Sequence, residues 1–171
     1  ELGPFTVRFV PDVGVARGFR ASLTIGGRFG LWEGLLLPFL PRMAEAAPDV
    51  SVRAEIGFED ELMQGLVEGR LDIGIMYTPQ SRPGLRVERL LVERLIMVST
   101  DPQAPAEPGP DYVHVDWGPE FFAHHGASFA EFIGPVLTVN IGWLGLQHVL
   151  SAGGSGYFPE RLIREHLATG R

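Results

Sequence analysis

The period of apolar and polar positions changes several times along the chain, and each change marks an element. Ser22 to Ile25 alternates polar with apolar with a β-branched bias, which predicts a strand. Gly26-Gly27 behind it predicts a turn needing free backbone angles. From Leu31 to Ala46 the residues Leu31, Leu35, Phe39 and Met43 recur every fourth position beside Leu36 and Leu40. This predicts a helix that Pro38 and Pro41 kink or shorten. Pro48-Asp49 stops it, and Val50 to Ile56 alternates again as a half-buried strand. Gly57 closes that strand. Glu59, Asp60 and Glu61 then place negative charge in the first turn of a helix, where the macrodipole favours it. Leu62, Met63, Leu66 and Val67 form its buried stripe, and Gly69 ends it. Leu71 to Tyr77 is nearly all apolar, as expected of a strand covered on both faces of a parallel sheet. The unit reads βαβαβ, an open doubly wound sheet.

After the turn-rich stretch Thr78 to Gly84, Arg86 to Leu91 and Arg94 to Thr100 read as two further strands. Asp101 to Pro110 holds four prolines in ten residues and can form neither helix nor central strand, so it predicts a boundary. Beyond it the pattern restarts: strand Tyr112 to Val115, helix Pro119 to Phe132, strand Val136 to Asn140, helix Trp143 to Ala152, a short strand at Tyr157-Phe158, and helix Pro159 to Ala168. The expected organisation is an N-terminal segment 1–19, a first α/β lobe 20–100 and a second 101–171, two lobes joined by extended segments. In such open sheets a ligand sits beyond the carboxyl ends of the strands.

Composition narrows the chemistry. The 171 residues contain no cysteine and no lysine, so thiolate, disulfide, P-loop and Schiff-base chemistry are excluded. All fourteen cations are arginine against 21 acids, a net charge of −7. That balance excludes this chain as the part of any protein that grips a phosphate backbone. The longest apolar run, Leu35 to Leu40, is too short to cross a bilayer, and Glu1-Leu2-Gly3-Pro4 is unlike a signal peptide. The expectation is a soluble cytoplasmic protein with no membrane contact.

No catalytic constellation emerges. Gly26 to Gly30 and Gly153 to Gly156 lack the glycine spacing of a dinucleotide loop, and the surroundings of Ser128 and Ser155 miss the nucleophile elbow. His114 and Asp116 share a strand face with His124 and His125 nearby, but without a matched third ligand they predict a surface strand and a solvated helix rather than a metal site. The expectation is no enzyme, no metal and no cofactor.

What stands out is the turns. The predicted strand ends and helix starts carry Phe29 and Trp32, Phe58, Tyr77, Trp117 and Trp143, with Arg28 as the cation among them. Together they suit a small, partly apolar or aromatic molecule, with backbone N–H groups at helix starts for a carboxylate. Arg28 fits a bidentate contact and equally a solvent-exposed loop arginine.

Several segments resemble one family. L-T-I-G at the first strand, L-L-P in the first helix, P-D-V before the second strand, the Gly69, Leu71, Asp72 group and the late A-G-G-x-G-Y-x-P stretch together resemble the effector-binding domain of LysR-type transcriptional regulators, over about residues 20 to 171. The resemblance implies a type II periplasmic-binding-protein-like fold, two α/β lobes with an effector cleft between them. It implies no enzymatic activity and a helix-turn-helix DNA-binding domain N-terminal to this chain. It also implies a homodimer or dimer of dimers, the first helix and second strand of one lobe meeting the second lobe of a partner. Carried over by position, ligand contacts fall on Gly27, Arg28, Phe29, Phe58, Tyr77 and Thr78 in the first lobe. In the second they fall on Trp117, Gly118, Asn140, Ile141, Gly142 and Trp143.

The family often places a small hydroxyl residue after the first strand, where this chain has Gly27-Arg28, so an aromatic or otherwise apolar effector gains weight over a carboxylate. The segment before Val136 is short for the family's second lobe, and Arg171 precedes the strand and helix by which such domains return to the first. Phe5, Val7 and Phe9 alternate with Thr6 and Arg8, which predicts an extra strand filling a sheet edge. Two alternatives stay open: a periplasmic solute-binding protein of a transporter, which shares the architecture, and a small α/β enzyme using His114 or Ser155.

Overall fold

A computed structural model describes residues 18–170; the strand expected within residues 1–12 lies outside them. The described chain divides into two compact α/β units, with the division between Val87 and Glu88.

In the first unit, β1 (Ala21–Gly27), β2 (Val50–Ile56) and β3 (Ile73–Ile75) form a parallel sheet in the order β2-β1-β3. Central β1 turns Ala21, Leu23 and Ile25 onto one face. There they are buried with Leu31, Trp32, Leu36 and Met43, carried by α1 (Phe29–Leu31), α2 (Phe39–Ala46) and the turn between them. On the other face α3 (Glu59–Val67) comes close at Gly26, where a β-carbon would lie 2.6 Å from Leu62 Cδ2 and 2.7 Å from Leu71 Cδ1. The Leu71-Asp72 pair thus has a mechanical role. Leu71 fills the space left by Gly26 and Gly65, while Asp72 returns to β1, its carboxylate accepting from Thr24 N–H (2.7 Å) and its own N–H donating to the Thr24 carbonyl (3.0 Å).

The helix expected over Leu31 to Ala46 is broken, and not by its prolines. Pro38 stands at the N-cap of α2 and Pro41 in its first turn, where a missing N–H costs nothing. The break is at Glu33, which is extended (ψ 119°), and Gly34, which takes φ +75°. Leu37 N–H reaches back five residues to the Trp32 carbonyl (3.0 Å), a wide turn rather than an α-helical one. The third strand also departs from expectation: only Ile73–Ile75 pair, and they are half-buried instead of covered on both faces, because β3 bonds only to β1 among the described residues.

In the second unit β4 (Leu95–Ser99), β5 (Tyr112–Val115), β6 (Leu137–Val139) and β7 (Ser155–Pro159) form a sheet ordered β4-β7-β5-β6. β4 runs antiparallel to β7, with Leu95 opposite Pro159 and Ser99 opposite Ser155; the other pairs are parallel. That pairing draws β4 into the second unit, ahead of the proline-rich segment, whereas the sequence placed the boundary after Thr100. The strand expected over Arg86 to Leu91 does not form, and Val87, Leu90, Leu91 and Val92 are exposed. α4 (Pro119–Ser128) ends four residues before Phe132, followed by α5 (Gly142–Ala152) and α6 (Glu160–Thr169). Tyr112, Val113, Val115, Leu146, Val149, Phe158 and Ile163 are the buried centre. The start of α6 is clamped to the residues before β4: Arg161 pairs with Glu93 in a largely buried ion pair, and Glu160 N–H donates to the Arg94 carbonyl (2.9 Å).

Candidate functional site

Parallel register brings the three turns of the first unit together. Gly27, the last residue of β1, lies opposite Ile56 of β2 and Ile75 of β3, so the chain leaves all three strands at one edge. Past that edge Gly57 N–H donates to the Gly27 carbonyl and Arg28 N–H to the Ile75 carbonyl, both at 3.2 Å. The Arg28 guanidinium lies 4.9 Å from the centroid of the Phe58 ring and forms an ion pair with Glu59. The second Glu59 oxygen accepts a long hydrogen bond from Tyr77 N–H (3.4 Å), and the Glu61 carboxylate accepts from Phe58 N–H (2.9 Å). Arg28, Phe58 and Tyr77 are therefore linked as a group at the edge that Gly27 and Phe29 share. Thr78 follows as an exposed loop residue.

Two expectations change here. Arg28 is not a solvent-exposed loop arginine: its side chain is only 16% exposed. The Phe58 N–H at the start of α3 and the strand-end N–H of Tyr77 are not waiting for a ligand carboxylate, since the chain's own acids accept from them. Sequence reasoning read Glu59 only as a helix-start charge. The overlooked signal was its position one residue after Phe58, on the strand end adjacent to the one carrying the opposite charge of Arg28. Trp32 is core rather than contact, buried with its indole N–H on the Glu55 carbonyl (2.9 Å).

In the second unit β5 and β6 end side by side, Val115 opposite Val139, and Asp116 N–H donates to the Val139 carbonyl (2.9 Å). An open pocket of about 360 Å³ lies at these ends, lined by Asp116, Thr138, Val139, Asn140 and Leu144. Of the expected residues only Asn140 lines it. Trp117 is buried, its indole N–H on the Tyr157 carbonyl (2.9 Å) and its ring against Gly142. Gly118 bonds through its N–H to the Asp116 carboxylate (3.0 Å) and leads into α4, while Ile141 and Gly142 begin α5. Trp143 is exposed at the start of α5, one residue before the pocket-lining Leu144. Thr138, Val139 and Leu144 escaped sequence reasoning because nothing in their type marks them; only the β5–β6 register makes them neighbours.

His124 is exposed on α4 as expected of a solvated helix, whereas His114 and His125 are half-buried. Among the described residues no group of three or more His, Asp or Glu side chains could hold an ion. Instead His114 and His125 stand 5.4 Å apart by ring centroids, in an aromatic cluster under α4 with Tyr112, Phe121, Phe129, Phe132 and Tyr157. Tyr112 Oη and His125 Nε2 are buried there without a hydrogen-bond partner. Burial holds both imidazoles below their ordinary pKa of 6.5. Asp116 opposes the shift at His114, and the neighbouring His114 reinforces it at His125. Burial pushes the Tyr112 and Tyr157 phenols up from 10.0. A folded-state pKa below the unfolded one means that, as pH falls through about 6.5, the unfolded chain takes up protons first. Urea unfolding should therefore show full second-unit stability between about pH 6.5 and 10, loss on the acid side from the histidines and loss on the alkaline side from the tyrosines. His125→Phe should flatten the acid limb and leave the alkaline one; an unchanged acid limb would contradict this account.

Ser155, the other candidate for chemistry, is buried, with its hydroxyl on Asp111 (3.3 Å). The glycines around it are structural, as Gly154 shows: φ is +123°, and a β-carbon there would lie 2.6 Å from the Asp111 carbonyl oxygen.

The family model for the LysR substrate binding domain matches residues 16–171. The chain belongs to the LysR substrate-binding domain family. Its relatives include the HTH-type transcriptional regulator HdfR of Yersinia pestis (strain Pestoides F), 24% identical over 156 residues, 85% of this chain and 53% of HdfR. The chain thus spans about half the length of the curated relatives it matches. Among solved structures it resembles the regulatory domain of MexT, a transcriptional activator in Pseudomonas aeruginosa (TM-score 0.71, 19% identity, 87% of this chain and 77% of that one). It also resembles the apo regulatory domain of HypT from Salmonella typhimurium (TM-score 0.70, 20% identity, 87% and 76%). The LysR domain therefore has the type II periplasmic-binding-protein-like fold that its motifs implied, and the matches favour a regulator over a transporter's solute-binding protein. Among its described residues no helix is long and apolar enough to cross a membrane.

Proposed function

We propose that this LysR substrate-binding domain senses a small molecule for a cytoplasmic transcriptional regulator whose DNA contacts are made by a separate helix-turn-helix domain. The observation that carries the reading is the pocket at the β5 and β6 ends, of a size that ligand sites commonly have. In the first unit Arg28, Phe58 and Tyr77 are assembled at the equivalent position, the carboxyl edge of a parallel sheet. Effector binding at these edges would shift the balance between two arrangements of the regulator, in proportion to its differential affinity for them. The active species is a homodimer or dimer of dimers.

Phe58 and Trp143 are large aromatics left 41% and 42% exposed, available to a ligand without being needed by the core. For a compound taken from a thermal-shift screen of aromatic and apolar metabolites, Phe58→Ala should weaken binding at the first-unit edge, or Trp143→Ala binding at the second-unit edge, about tenfold by calorimetry, roughly 1.4 kcal/mol. Unchanged affinity in both variants would remove the assignment of the strand edges as the effector site.

A further inference from the structure

We propose that Glu59 is a resident anion that determines effector specificity: it occupies Arg28 and makes the first-unit edge reject carboxylate- or sulfate-bearing effectors in favour of uncharged ones. This rests on the effector reading above and adds the ligand class. A cation beside helix-start N–H groups would ordinarily be an anion receptor. Here the positive charge is matched by a carboxylate from the same unit. One Glu59 oxygen takes the Arg28 guanidinium, and the other faces the Tyr77 N–H. Glu61 takes the Phe58 N–H. Both members of the ion pair are mostly buried, 16% exposed for Arg28 and 23% for Glu59, so solvent screens the Glu59 charge less than it would on an open surface.

An incoming anion would have to displace Glu59 from Arg28 while remaining beside it, and two like charges at that range repel strongly where water is scarce. An uncharged effector meets no such penalty. It can lie against the partly exposed Phe58 ring, which the Arg28 guanidinium also approaches. The second-unit pocket points the same way by itself: its lining holds one acid, Asp116, and no arginine.

The test uses the whole chain with isotope-labelled arginine. The Arg28 side-chain NMR signal is assigned by its loss in Arg28→Ala, and sodium sulfate and then sodium benzoate serve as probes at constant ionic strength. In the wild type the Arg28 signal should show no saturable response to either anion. Glu59→Gln removes the charge but keeps an acceptor for Tyr77 N–H. It should create a saturable response to sulfate at Arg28 that the wild type lacks. Glu59→Ala serves the same purpose if the glutamine variant fails to fold. A saturable anion response at Arg28 in the wild type, or none in a folded Glu59 variant, overturns the proposal. Neither outcome depends on the screened compound, so failure here is distinct from failure of the effector reading, which Phe58→Ala and Trp143→Ala decide.

Discussion

Gly154→Ala should cost the second unit about 3 kcal/mol or more, a fall in Tm on the order of 10 °C. Two effects coincide at this position. The backbone holds φ +123°, which L side chains rarely adopt, and the new methyl would be driven to 2.6 Å from a backbone carbonyl oxygen, that of Asp111. A backbone atom cannot rotate away as a side chain can. Relief would require shifting β5 against β7, where Gly154 also exchanges hydrogen bonds with Thr100, its N–H on Thr100 Oγ1 and its carbonyl accepting from Thr100 N–H, both at 3.0 Å. Gly126→Ala is the internal control. That glycine lies within α4 with nothing within 4 Å of an added methyl, so the substitution should stabilise by roughly 0.5–1 kcal/mol. Thermal melts of opposite sign for the two variants are the expected result; a neutral Gly154→Ala would mean the A-G-G-x-G-Y-x-P segment is not held by backbone sterics.

Two tryptophans expected at the ligand should behave differently. Trp117→Ala removes a buried indole from between Gly142 and the Tyr157 carbonyl and should destabilise by about 3–5 kcal/mol, enough to threaten folding at 37 °C. Trp143→Ala takes away a side chain 42% exposed and should cost under about 1 kcal/mol while weakening effector binding. Chemical denaturation of the two variants separates the roles. Equal losses would show that exposure does not distinguish framework from contact here.

The difference between those residues explains what could be read in advance. β2, β5 and α3 were visible because alternation or four-residue spacing is imposed by burial on one face, and Val50–Ile56 and Tyr112–Val115 match their expected limits. That Arg28, Phe58, Tyr77 and Asn140 lie at strand ends could be read from the sequence because strand ends can be counted along the chain. Pairing could not be counted. Nothing local distinguishes Arg86 to Leu91, which forms no strand, from Leu95–Ser99, which finds the edge of β7 more than fifty residues later. Glu59 and Glu61 were seen as dipole partners of their own helix, whereas their contacts with Arg28 and with the Tyr77 and Phe58 backbone depend on register across β1, β2 and β3.

The wide turn at Trp32 behaves as an absorbed insertion. Reaching back five residues instead of four places one extra residue in a single turn, and the left-handed Gly34 takes up the surplus. Removing one residue between Glu33 and Leu35 would take away the slack that separates α1 from the proline-capped start of α2. It would also rotate everything before the deletion by about 100° relative to everything after it. Trp32 could then no longer meet the Glu55 carbonyl while Leu36 and Met43 keep their places in the core. A length change of one residue here would misalign the unit, so this stretch should tolerate substitution outside Gly34 far better than insertion or deletion.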